Sequence, residues 1–438
     1  MRSIKFFFFR TSSYFFLSIF IYCLLYSIVT PPFYVADEHS HFQKSSSKET
    51  LYLRGSLRVD KGIYNFSENF ERMANDRQHN GTKYDKNFLF KNYDKYNLNK
   101  EYKLGNLSNL SGYPVTGYLF SKISFITSKL FSDNVTLIFY IGRIVNIIFS
   151  IIILIYVTRK IFSNSSILLL IYSSPMALSI LASHSQDVMI FNFTLLFIFF
   201  SDYLLKKKET NLIKTELFIF LASLTCVLLI FARPTYIPIF LLPILLTYKI
   251  SSKKNYQYIL IVILIIISLI FILTYDTVPK KNNLSFPQDI FFVIELLMND
   301  LIKNTYKYFY MMIGAIGRID IFADYKLIYL FLIIFFYAFL TNFDFKNILT
   351  NISFCVFLIF FLIIFLTQIA QYIYFTETGR TDYIQGVQGR YFIPAFMILT
   401  LLLKNNSNKI LILVEKIIIL LVPHLNIFMI IKTYNFFY

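Results

Sequence analysis

Long apolar runs, one after another, constrain this chain more than any other feature. Val135–Val157, Val188–Leu205, Tyr258–Tyr275, Ile348–Ala370 and Ile410–Ile431 are dominated by Ile, Leu, Phe and Val. A helix needs about 20 mostly apolar residues to cross a bilayer. Inside lipid, only helices and closed barrels satisfy their own backbone. With 56% hydrophobic and 15% charged residues, the chain is far from a soluble average. The expected fold is all-α, a polytopic transmembrane bundle of about eleven spans (roughly 10–12). Several runs fall short of a full crossing, which local thinning or burial within the bundle can accommodate.

Basic residues orient these spans. Met1–Arg10 carries Arg2, Lys5 and Arg10 and no acid, which places the N-terminus in the cytoplasm. Ser12–Val29 reads as an uncleaved first span, because Tyr34-Val35-Ala36 is a poor small-x-small cleavage site. Residues 1–30 then form the cytoplasmic start and first span, and 31–134 an outer loop with short helices. Spans at 135–275, a second outer region at 276–325 and C-terminal spans at 326–438 follow, the last containing an outer loop at 371–389. Tyr113–Leu130 reads as an interfacial helix, since a full span there would invert the basic loops that follow. Runs at 167–182, 236–248 and 391–403 are each taken as one span, and Gln288–Met312 as amphipathic.

The net charge of +17 lies in short loops between apolar runs, the positive-inside pattern, so no nucleic-acid partner is expected. The three cysteines all sit in apolar runs without C-x-x-C spacing, which argues against a zinc site or a disulfide framework. Trp is absent while Phe numbers 51 and Tyr 33, so interface anchoring falls to Tyr, Phe and flanking Lys and Arg.

The polar chemistry gathers on the outer side. Pro31 and Pro32 break the helical path, and Asp37, Glu38, His39 and His41 follow within a few residues. Adjacent residues of an extended segment point apart, so one carboxylate can serve as a general base while the other braces a loop or a metal. Ordinary solvated acids are the competing reading. Asp37, Glu38 and His41, with His39 beside them, are candidate ligands for a divalent cation, magnesium or manganese. Asp187 opens a span and reads as a helix-capping acid or a site residue. Arg233 and Arg390 head apolar runs, and each can grip a phosphate or snorkel to the interface. Glu377, Arg380 and Asp382 share the third outer loop. Gly314 to Asp320 has no Lys-Ser/Thr after its glycines, so no nucleotide cofactor is expected.

Three stretches resemble one family, the bacterial membrane proteins grouped as domain of unknown function 2142. Pro31-Pro32-Phe33-Tyr34-Val35-Ala36-Asp37-Glu38-His39-Ser40-His41-Phe42 is similar to its Pro-Pro-x-x-x-Pro-Asp-Glu-x-x-His-Phe, with Ala36 in place of Pro. Gly314-Ala315-Ile316-Gly317-Arg318-Ile319-Asp320 resembles Gly-x-x-Gly-x-Leu-Asp. Gly386-Val387-Gln388-Gly389-Arg390-Tyr391-Phe392-Ile393-Pro394 resembles Gly-x-Gln-Gly-Arg-Tyr-x-x-Pro.

That family is similar in turn to the GT-C glycosyltransferases. The resemblance implies a GT-C-like bundle that transfers a sugar from a polyprenyl-phosphate donor to a glycan or lipid acceptor outside the cytoplasm. It implies Asp37 or Glu38 as the catalytic carboxylate. Arg390 or Arg233 would then hold the donor phosphate, with His41, Asp187, Asp320 and Gln388 as substrate-side residues. A transporter or flippase of lipid-linked sugars, and a surface-polysaccharide polymerase, are the rival readings. The first would place substrate groups near the bilayer midplane.

Overall fold

The computed structural model describes residues 2–47, 57–87, 91, 93–105, 115–161, 165–206, 212–250, 255–274, 290–343, 351–377, 383–403 and 409–438. Helix α1 (Arg2–Val29) stops just before Pro31, whose ring cannot enter a helical turn. The chain then folds back on itself at this end of the helix. Phe33 and Asp37 both have a φ of 64°, a conformation of order 1–3 kcal/mol costly for a non-glycine residue and held only by surrounding packing. That packing is aromatic. The Phe33 ring lies 5.3 Å from Phe66 and 5.0 Å from Phe139, and Phe42 lies 5.1 Å from Phe139.

The first outer region carries α2 (Glu38–Ser46), β1 (Leu57–Asp60), α3 (Lys61–Asn80), β2 (Tyr102–Gly105) and α4 (Leu119–Ser128). β1 and β2 pair antiparallel, Leu57 opposite Gly105 and Asp60 opposite Tyr102. Asp60 also caps α3, accepting from the Gly62 N–H at 2.8 Å. α4 is 10 residues long, about half of what a bilayer requires. It exposes Leu119, Ile123 and Ile126, spaced as one helical face.

Next come α5 (Val135–Lys160), α6 (Ser165–Tyr172), α7 (Pro175–Leu181), α8 (Asp187–Lys206), α9 (Leu212–Ala232), α10 (Leu241–Ile250), α11 (Asn255–Thr274) and α12 (Ile290–Gly314). A tight hairpin, β3 (Ala315–Ile316) and β4 (Ile321–Phe322), leads to α13 (Tyr325–Asn342), α14 (Asn351–Tyr374), α15 (Ile393–Leu399) and α16 (Lys409–Phe437). The two small sheets depart from the expected all-α class, although both are minor.

Six described helices have the length and apolarity to cross a membrane: 135–160, 187–205, 215–232, 325–342, 351–374 and 420–437. Four more apolar helices, at 13–29, 234–248, 261–270 and 389–402, are shorter. The run expected as a single span at 167–182 is two helices. Pro175 starts a new one, with the Ser174 hydroxyl accepting from the Ala177 N–H at 3.4 Å. All seven residues of α7 are buried, as are all seven of α15. These short apolar segments therefore sit inside the bundle, where neighbouring helices supply what lipid cannot. Tyr236–Tyr248 likewise starts as a 3₁₀ segment, Pro234–Phe240, before α10.

Candidate functional site

The two adjacent carboxylates of the first outer loop end in different surroundings. Glu38 is fully buried and forms a two-pronged ion pair with Arg143 of α5, Nε to Oε1 at 2.9 Å and Nη2 to Oε2 at 2.6 Å. The backbone N–H groups of Phe33 and His184 also donate to it, at 3.1 and 3.0 Å. These four donors fill the four lone-pair directions of a carboxylate. Arg143 is fully buried as well and donates to the Ser27 and Thr30 carbonyls at 2.8 Å each. One ion pair thus ties the end of α1, the start of α2, the middle of α5 and the loop before α8. The loop reaches α5 because residue 142 is glycine: a Cβ there would lie 2.2 Å from His184 Cε1.

Asp37 points elsewhere. Its side chain is 58% exposed and meets Arg390 Nη2 at 3.0 Å. Arg390, only 4% exposed, lies with Nε 3.3 Å from Asp187 Oδ2. Asp187 Oδ1 accepts in turn from Arg233 Nη2. The result is an alternating row, Asp37–Arg390–Asp187–Arg233, drawn from four separate segments. Both guanidiniums also face the Tyr391 ring, Arg233 at 4.4 Å and Arg390 at 5.3 Å from its centroid.

Asp37 occupies a recess, hemmed in by protein yet open to water. That enclosure raises its carboxyl, and the Arg390 guanidinium chief among the opposing charges outweighs it, leaving Asp37 below the ordinary carboxylate value. His41 is buried beside it, with Nδ1 3.0 Å from the Tyr118 hydroxyl, which lies 3.5 Å from Gln186 Oε1. Burial pushes His41 down to about 4, against the pull of Asp37 and Asp187. His41 is therefore neutral at pH 7 and serves as a hydrogen-bonding group.

The other residues singled out from sequence lie around this row. Asp320, in the turn of the β3–β4 hairpin, accepts from the Tyr34 hydroxyl, while its Oδ1 is buried without a hydrogen-bond partner among the described residues. Burial raises its carboxyl, against the lowering effect of Tyr34. Asp320 thus supports the first outer loop and makes no described ion pair with Asp37 or Arg390. Gln388 lines a neighbouring cleft. The Glu377 N–H donates to Gln385 at 3.2 Å, and Arg380 and Asp382 lie outside the described residues.

The expected metal ligands do not converge. Glu38 is saturated by Arg143 and two amides, His41 faces Tyr118, and His39 turns to Glu71 at 3.4 Å. Asp37 already faces a guanidinium, and no group of three or more His, Cys, Asp or Glu among the described residues is placed to hold a metal ion. The arrangement of these residues does not fit a divalent cation. Arg143 is the residue that sequence reasoning passed over. An arginine in the middle of an apolar span was the available signal, since such a charge is costly without a buried partner.

No curated protein and no solved structure matches the chain. Residues 20–399 match the family described as Predicted membrane protein (DUF2142), which spans the first outer loop, the hairpin and the third outer loop. The chain therefore belongs to the DUF2142 family of predicted membrane proteins.

Proposed function

We propose that this membrane protein is a glycosyltransferase that uses a polyprenyl-phosphate sugar and acts on the non-cytoplasmic side of the bacterial inner membrane, with its N-terminus in the cytoplasm. The observation that carries the reading is the row Asp37–Arg390–Asp187–Arg233, with its acidic end open to solvent and its arginines buried or nearly so. An acceptor hydroxyl attacks the anomeric carbon of the donor, the carbon–oxygen bond to phosphate breaks, and polyprenyl phosphate leaves. Asp37 takes the hydroxyl proton. Arg390 and Arg233 neutralise the departing phosphate, for which the planar guanidinium is well shaped.

The arrangement links these roles. In the structure Arg390 pairs with Asp37 and keeps it ionised but weakly basic. A donor phosphate that draws Arg390 away removes the counter-charge and raises the basicity of Asp37 as substrate arrives. Glu38, held by four donors, braces the loop and takes no part in proton transfer. Asp187 aligns both arginines.

The test is purified protein in lipid nanodiscs, given a radiolabelled polyprenyl-phosphate sugar and a glycan acceptor. Labelled acceptor is the expected product, and Asp37→Asn lowers its rate by about 10²–10⁴-fold. Asp37→Asn transferring at the wild-type rate removes Asp37 from the mechanism. Movement of the donor across a vesicle bilayer without any transfer would replace the reading with a flippase.

A further inference from the structure

Beside the charged row lies a cleft of about 690 Å³, walled by α12, the β3–β4 hairpin, the start of α13 and the third outer loop. Its aromatic lining is Tyr306, Tyr310, Tyr325 and Phe322, and Lys307 and Gln388 supply polar groups. We infer that this cleft is a saccharide-binding subsite, the place where the glycan acceptor rests while its hydroxyl faces Asp37.

Three observations favour a sugar over a lipid tail. First, the cleft differs from the faces this protein turns outward along its spans. α5 exposes Ile144, Ile148, Phe149 and Ile152, with Tyr156 as the one hydroxyl-bearing ring among its exposed large side chains. The cleft instead presents hydroxyl-bearing rings. A pyranose has apolar C–H faces and a polar rim, and tyrosine offers a π-face together with a hydroxyl for that combination. Second, Gln388 Oε1 is buried with no hydrogen-bond partner among the described residues. An unpaired buried carbonyl costs about 1–3 kcal/mol, and a turn of the half-buried Gln388 side chain into the cleft would offer it to a sugar hydroxyl. Third, the cleft is rigidly joined to the charged row. At Gly389 an added Cβ would lie 2.3 Å from Met312 N and 2.5 Å from Tyr308 O, so the backbone between Gln388 and Arg390 is pressed against that of α12. A ligand seated on Tyr306 and Tyr310 of α12 is thereby placed in fixed relation to Arg390 and its partner Asp37.

The rings are already arranged. Tyr306 stacks on Tyr329 with centroids 5.7 Å apart, and Tyr310 is anchored by its hydroxyl on the Ala323 carbonyl at 2.6 Å. Tyr306 and Tyr325 remain 48% and 55% exposed, so neither is needed to fill the core. The competing role for such tyrosines is anchoring at the membrane interface, and that role makes no demand on Gln388.

The role as acceptor subsite rests on the proposed transfer reaction, whereas binding can be measured without it. The full chain in lipid nanodiscs is titrated calorimetrically with chitotriose, maltotriose and mannotriose, with no donor present. At least one trisaccharide is expected to bind in the millimolar range or tighter. Tyr306→Ala, Tyr325→Ala and Gln388→Leu each weaken it by about tenfold, and Tyr156→Ala, an exposed tyrosine of α5 outside the cleft, leaves it unchanged. Absence of binding by all three sugars, or binding that survives all three cleft substitutions, overturns the inference. Farnesyl phosphate displacing the sugar in a Tyr306-dependent manner overturns it in favour of a lipid groove. Sugar binding in a protein that transfers nothing keeps the cleft and discards the transferase.

Discussion

Asp37 and Glu38 are neighbours in sequence, and each pairs with an arginine, yet the two ion pairs are unlike in every other respect. The Glu38–Arg143 pair has no exposure on either side and no unused lone pair on the carboxylate. The Asp37–Arg390 pair leaves the acid 58% exposed, and its arginine is shared with a second acid. The first pair is a joint: any change of charge strands its partner in an apolar interior. The second is exchangeable, because water or a phosphate can take the place of either member. A buried pair is costly to break and chemically inert, and an open one is cheap to break and available for chemistry.

The sharpest way to break this contrast is to remove one half of the joint. Arg143→Met should destabilise the protein by about 3–5 kcal/mol, because it leaves Glu38 buried and uncompensated. The double variant Glu38→Gln with Arg143→Met should recover a large part of that loss. Unfolding followed by circular dichroism in detergent measures both, and additive losses would mean that the two side chains are not coupled.

The next effect is a pH dependence. His41 and His184 are both held near 4 in the folded protein, chiefly by burial, against an ordinary value of 6.5. Between those values the unfolded chain binds protons that the native one refuses, so stability rises with pH through that window, by about 1.4 kcal/mol for each unit of difference. Asp37 acts in the same direction at lower pH. Its lowered carboxyl contributes stability that is present above the ordinary value of 3.8 and is lost as pH falls through the folded value. Thermal midpoints should therefore decline from pH 6.5 to 4, and His41→Gln should flatten part of that slope. An unchanged slope would show that His41 is protonated in the native state.

The smallest effect on stability belongs to the open pair. Asp37→Asn should cost no more than about 1 kcal/mol, as for other partly exposed ion pairs, while lowering sugar transfer by about 10²–10⁴-fold. A loss of folding as large as that of Arg143→Met would erase the distinction between the two pairs.

Much of the fold was legible in the chain. Run length identified the membrane bundle, and Tyr113–Leu130, read as an interfacial helix because a span there would invert the basic loops, contains the 10-residue α4. Asp187, Arg233 and Arg390 were each ambiguous in isolation, because capping and snorkelling explain a single charge at a helix end as well as ligand binding does. Their meeting at one row is what the ambiguity concealed. The broken segments were also hidden, since hydropathy averages over Ser174-Pro175 and does not register the cap and the new helix start that those residues produce.

The sequence alone determined that this chain lives in lipid, which stretches are apolar, and that a kinked acidic loop follows the first of them. These are local properties, set by the apolarity of about twenty residues or the ring of one proline. Only the tertiary structure decided which acid meets which arginine. Glu38 and Arg143 are 105 positions apart, and Asp37 and Arg390 are 353 apart. Adjacent side chains that leave a turned backbone in different directions enter different environments, and that divergence, made by packing, is what separates a buried, saturated carboxylate from an open one.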